Sequence, residues 1–177
     1  MNDTLKTIKD RYSVRGYEDT MPTKEEIDTI IEAGLMAPTG MNLQEITFTV
    51  VNGKDDIITD IEAEKCAMRQ IKVAEFNSFY NAPVVIMLSA PEEGKWSKLD
   101  CGIAVENMCL AAAALGLGSL IVGSVYDAMR GDKEDFYKEK LCIPKDSRFQ
   151  IGLAIGKPSA VKEPHTYEKD KQVVNLL

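Results

Sequence analysis

The stretch from Lys98 to Leu117 carries the strongest helix pattern in the chain, and it is apolar on nearly every side. Ile103, Val105, Met108, Cys109, Leu110, Ala111–Ala114 and Leu115 leave few polar positions between them. Such a helix is stable only when surrounded, inside a domain or at a subunit interface. It is no membrane span: unbroken apolar runs such as Pro83–Leu88 and Leu110–Leu115 fall far short of about 18 residues. Asp100 supplies negative charge at the helix N-terminus. Glu106 must be paired or partly exposed. Gly116 and Gly118 are expected to end the helix.

Around this element the chain alternates helix and strand patterns. Leu5, Ile8 and Tyr12 share one face of a first helix. Thr23 with Glu26 forms a capping box that opens a second helix, with Ile27, Ile30, Ile31 and Leu35 on one side. Pro38 ends that helix, and a loop of small and amide residues runs from Pro38 to Gln44. Strands are expected at 46–51, 84–88, 120–123 and 149–156, from β-branched, aromatic and apolar runs. Residues 55–80 are mostly helix-compatible, and Asp132–Lys140 reads as a short amphipathic helix. Two helices precede the first strand, which favours α+β over strict βαβ alternation.

At about 150 residues per domain, 177 residues correspond to one domain, with a surface extension from about 157 to 177. The net charge of −7 argues against nucleic acid, which needs clustered cations. The cysteines, Cys66, Cys101, Cys109 and Cys142, are spaced 35, 8 and 33 apart, with His165 the only histidine. No metal or iron–sulfur pattern results. Cys101 and Cys109 read as buried small hydrophobes. No signal peptide is visible, and reduced thiols place the chain in the cytoplasm.

Three stretches could carry chemistry. Arg11, Ser13 and Arg15 set two guanidiniums and a hydroxyl just past a helix, a combination that matches phosphate oxygens. The same arginines would equally serve as helix-end cations beside nearby acids. The loop with Thr39, Gly40, Asn42 and Gln44 lets a ligand approach backbone and offers amide groups to the edge of a heterocycle; an ordinary helix–strand connection is the plain alternative. Gly116–Ser124 is not a dinucleotide fingerprint, because its glycines follow a helix and precede a strand. Gly123 nevertheless sits at a strand end, where a bare N–H could face a ligand.

In this order the chain resembles the nitroreductase family of FMN-dependent oxidoreductases. The resemblance rests on Arg11–Tyr17, Ala33–Gln44, Ala82–Ile86, Asp100–Met108 with Leu115–Ser119, and Ile151–Pro158. It implies an α+β fold with a central, mostly antiparallel sheet flanked by helices, and an intertwined homodimer with FMN at the subunit interface. By position, Arg11 and Ser13 would bind the FMN phosphate and Arg15 would lie near the pyrimidine. Thr39, Gly40, Asn42 and Gln44 would come from one subunit's loop. Val122, Gly123 and Ser124 would line the ring, with the Gly123 N–H donating to N5. Asp100 would lie near the ribityl chain, and Lys169 or Lys171 of the tail would reach the phosphate.

The activity so implied is ping-pong transfer from NADH or NADPH through flavin N5 to a nitroaromatic, quinone or similar acceptor, with no obligatory side-chain acid or base. Alternatives are a flavin-binding protein with another task (dehalogenation, flavin destruction or ferredoxin-linked electron transfer) and a structural dimer without flavin. The stretch from Lys65 to Ala82 is too short for long lid helices, so an open pocket is expected. Phe76, Phe79 and Tyr80 are candidates for pocket, interface or core.

Overall fold

In a computed structural model, which describes residues 2–74, 77–164, 166, 168, 171, 174 and 175, four strands form one antiparallel sheet in the order β1-β2-β4-β3. The strands are β1 (Thr47–Asn52), β2 (Val84–Pro91), β3 (Gly118–Val122) and β4 (Ser147–Gly156). The helices are α1 (Asp3–Asp10), α2 (Lys24–Leu35), α3 (Asp56–Met68), α4 (Ser97–Ala114), α5 (Tyr126–Met129) and α6 (Glu134–Lys140). β2 pairs with both β1 and β4, which explains its continuous apolar sequence. Val85 and Met87 join one core with residues of α3, α5 and α6. Val84, Ile86 and Leu88 join a second core with α2 and α4. The sheet is therefore covered on both faces, as period-2 alternation requires. No helix among the described residues is long and apolar enough to cross a membrane.

The local signals decide most helix ends. Thr23 accepts from the Glu26 N–H at 3.2 Å and the Glu26 carboxylate accepts from the Thr23 N–H at 2.8 Å, completing the capping box. α4 ends at Ala114, and Gly116 follows with φ of 76°, the left-handed conformation in which glycine closes helices. Gly118 is not part of that stop; it is the first residue of β3. α5 has only four residues, too few for periodicity to reveal.

Two expected faces are not covered within the chain. Leu5 and Ile8 of α1 are 52% and 49% exposed, and Leu35 of α2 faces solvent. α4 is buried along Cys101, Ala104, Val105, Met108, Cys109 and Ala112, while Leu99 and Ile103 remain exposed. Phe79 lies in the core and Tyr80 packs partly against it. Phe76 and His165 lie outside the described residues.

α3 is fixed by a buried carboxylate. Glu62 accepts from the Ser78 N–H at 2.9 Å and pairs with Lys65, which also donates to the Ser78 hydroxyl at 2.8 Å. Burial pushes the Glu62 carboxyl up, but the hydrogen bonds from Lys65 and Ser78 outweigh it and hold it below its ordinary value. The pair joins α3 to the turn at residues 77–80.

Candidate functional site

α1 ends at Arg11, whose backbone turns extended (φ −61°, ψ 132°). The following residues lie along β3: Ser13 bridges Ser119 in parallel and the Val14 N–H donates to the Ser119 carbonyl at 3.0 Å. Alternate residues of an extended stretch share a side, which sets Arg11, Ser13 and Arg15 toward one side. Arg15 is exposed and Ser13 half-buried. The Arg11 side chain is only 16% exposed, yet its one carboxylate neighbour among the described residues is Glu106 at 3.5 Å, a long contact for a guanidinium. Glu106 is thus both paired and partly exposed. Arg11 faces a groove of about 490 Å³ that α1 forms with Ser119 and the end of α4.

Burial makes neighbouring thiols inert. It pushes the Cys109 thiol up to about 11, against the pull of Ser119 and Arg11, and the Cys101 thiol beside Asp100 up to about 12. Neither is a nucleophile at neutral pH.

The second group is the loop after α2. Its one turn of 3-10 helix, Gly40–Asn42, is held from α4: the Gly40 N–H donates to both carboxylate oxygens of Asp100, at 3.0 and 3.1 Å. Trp96 lies so close to Gly40 that a Cβ there would fall 2.3 Å from the indole. The Gln44 N–H donates to the Thr39 hydroxyl at 3.1 Å, and the Gln44 amide donates to Asn42 Oδ1 at 2.9 Å. Met41, Asn42 and Gln44 all have positive φ, conformations that concentrate where a loop is shaped for binding. The two amides therefore orient one another. Asp100, which the resemblance sets near a ribityl chain, positions this loop in the structure.

The third group follows β3. Val122 is buried in the core, so it offers a ligand only its backbone. The β3–β4 pairing stops at Val122 facing Gly152, leaving exposed Gly123 past the ladder. A Cβ on Gly123 would meet nothing nearer than Ile151 Cδ1 at 3.8 Å. The chain itself does not require glycine here, and the space over it is open.

Asp100 and Glu106 place the first two groups. Six residues of α-helix span about 9 Å and turn the side chains about 120° apart. The Gly40 loop and Arg11 therefore sit on different sides of α4. Ser119 and Gly123, by contrast, lie about 13 Å apart along one strand direction.

Residues 8–157 match the family model described as "Nitroreductase family". The chain belongs to the nitroreductase family. Among its relatives is the Bacillus subtilis protein named FMN reductase (NAD(P)H), 30% identical over 93% of this chain and 70% of that one. A Desulfitobacterium hafniense nitroreductase solved with bound FMN superposes with a TM-score of 0.88 at 30% identity, covering 99% of this chain and 100% of that one. A Bacteroides fragilis nitroreductase with bound FMN gives the same TM-score at 26% identity, with the same coverage. The nitroreductase fold expected from the sequence, with its antiparallel sheet between helices, is the one observed.

Lys169 lies outside the described residues, and Lys171 pairs with Glu168 at 2.8 Å. The tail cation that lines a small cleft with Arg15 is Lys162, brought there because Ser159 donates to the Gly16 carbonyl at 3.0 Å and Glu18 to that of Lys157 at 2.8 Å. Sequence reasoning missed Lys162, as it missed Trp96; nothing local marks either residue.

Proposed function

We propose that this nitroreductase-family chain is an FMN-dependent NAD(P)H oxidoreductase that passes reducing equivalents by a ping-pong mechanism to a nitroaromatic, quinone or similar acceptor. One observation carries the reading. Under-paired Arg11 with Ser13 stands at one end of β3, and Gly123, with open space where a side chain would be, stands at the other. A phosphate anchor and a bare backbone at the two ends of one strand fit a phosphorylated molecule with a planar head.

When bound, FMN supplies hydride acceptance and donation at N5. Arg11 and Ser13 would hold its phosphate by charge-assisted hydrogen bonds, and Lys162 of the tail lines a small cleft with Arg15. Arg15 sets positive charge beside the pyrimidine, which favours negative charge there. The Gly123 N–H would donate to N5, and the Ser124 backbone would line the ring. Thr39, Gly40, Asn42 and Gln44 would reach the flavin from a second copy, a reading supported by the loop and Arg11 lying on different sides of α4 in a single chain. Asp100 acts through that loop. Donor and acceptor occupy the same open face in turn.

The site therefore needs a homodimer, in which the exposed apolar residues Leu5, Ile8, Leu99 and Ile103 are covered. The whole chain works as one flavin-binding domain, with residues from about 157 as its extension, in the reducing cytoplasm that suits its free cysteines.

The purified protein is expected to be yellow and to release FMN on denaturation. Anaerobic mixing with NADH or NADPH is expected to bleach the flavin, and an added quinone to restore it. A colourless protein that takes up no FMN overturns the reading. Flavin that neither nicotinamide bleaches would assign the electrons to another donor.

A further inference from the structure

Gly123 begins a tight turn. The Tyr126 N–H donates to the Gly123 carbonyl at 3.0 Å, and Val125 has φ −94° and ψ 3°, the values of the third residue of a type I turn. The middle peptide of such a turn is the group whose flip converts one turn type into another. Here that peptide joins Ser124 to Val125. Its carbonyl accepts from Arg69 Nη2 at 3.0 Å, across 55 residues of sequence.

Arg69 is itself held in place. It caps α3, and Gln70 follows with φ of 54°. The Gln70 N–H donates to the Ala67 carbonyl at 3.1 Å and the Ile71 N–H to that of Cys66 at 3.0 Å, the double closure of a Schellman motif. Two turns earlier, α3 is anchored by buried Glu62. A guanidinium on a fixed helix end thus clamps the one peptide that orients the Gly123 turn.

We propose that Arg69 is a positioning residue for the flavin-binding turn. It holds the Ser124 carbonyl toward α3, and so fixes the conformation of the 123–126 turn that carries the chain past the open site. This rests on the proposed function for its consequence at the flavin, and on the structure alone for its effect on the turn. Arg69 touches no reacting atom. Its exposed charge beside the turn also favours an electron-rich flavin.

The test compares R69A with K133A. Lys133, which precedes α6, pairs with Asp60 and Glu64 of α3 at 3.5 and 3.1 Å and has no hydrogen bond to Ser124, so K133A loosens α3 against α6 without removing a bond to the turn. In the flavin-free protein, R69A is expected to speed amide exchange at residues 123–126 about ten-fold, the scale of one lost hydrogen bond to a charged group. In the holoprotein it is expected to raise the FMN dissociation constant by about the same factor, and to make the flavin midpoint potential more negative. K133A is expected to leave all three near wild type. Unchanged exchange in R69A overturns the proposal, as do an unchanged potential and affinity, or equal shifts in both variants. If the wild-type protein takes up no FMN, the proposed function falls, and amide exchange by itself decides whether Arg69 orders the turn.

Discussion

Replacing Asp100 by alanine should loosen the Pro38–Gln44 loop from α4. The Asp100 carboxylate is buried and takes the Gly40 N–H on both oxygens, at 3.0 and 3.1 Å. A hydrogen bond to a charged group contributes about 1.5–3 kcal/mol. Asp100 also lies in the first turn of α4, where a carboxylate adds roughly 0.3–1 kcal/mol. The variant also leaves the positive-φ residues Met41 and Gln44 without the contact that holds them, so the loop relaxes. The expected loss is about 2–4 kcal/mol. At about 2–4 °C per kcal/mol for a chain of this size, the melting temperature falls by roughly 8 °C. Asp100→Asn retains an acceptor oxygen and should recover about half the loss, because a neutral bond contributes about 0.5–1.5 kcal/mol. Urea unfolding at pH 7, with the denaturant slope checked for constancy, measures both variants. An alanine variant within about 0.5 kcal/mol of wild type, the scatter of ordinary surface changes, would refute the reasoning that Asp100 is the loop's anchor.

Removing Lys65 by K65A leaves the Glu62 carboxylate buried and unpaired, and should cost about 3–5 kcal/mol in urea unfolding. Glu62 titrates below its ordinary value near 4.5 in the fold, so its stabilising contribution is complete above that pH and is lost as pH falls through the lowered value; E62Q should flatten stability against pH in that acid range. G123A should leave flavin-free stability within about 0.5 kcal/mol of wild type, because a Cβ meets only Ile151 at 3.8 Å, yet weaken FMN binding measured by fluorescence titration. R11A should weaken FMN binding by about ten-fold or more, the scale of one charge-assisted bond, and unchanged affinity would remove Arg11 from the phosphate site. I103R places a charge on the exposed stripe of α4 and should turn a dimer into a monomer in light scattering; a variant that stays dimeric would move the interface elsewhere.

What the sequence determined by itself is local. Thr23 and Glu26, three residues apart, close the capping box in any context that starts a helix there. Gly116 stops α4 because only glycine adopts that φ cheaply. Alternating and continuous apolar runs marked all four strands, and ordered motifs from Arg11 to Pro158 pointed to the family before any geometry was known. α5 escaped, since one turn of helix has no period to read. Tertiary structure decided whatever depends on neighbours far along the chain. Periodicity says which face is apolar but not what covers it, so Leu5, Ile8 and Leu35 looked like core and lie exposed. Asp100 meets Gly40 across 60 residues and Arg69 meets Ser124 across 55. Each of those contacts exists because the sheet order β1-β2-β4-β3 and the packing of α3 and α4 against it bring distant backbone within hydrogen-bond reach. No local preference of an aspartate or an arginine encodes which carbonyl or N–H that will be.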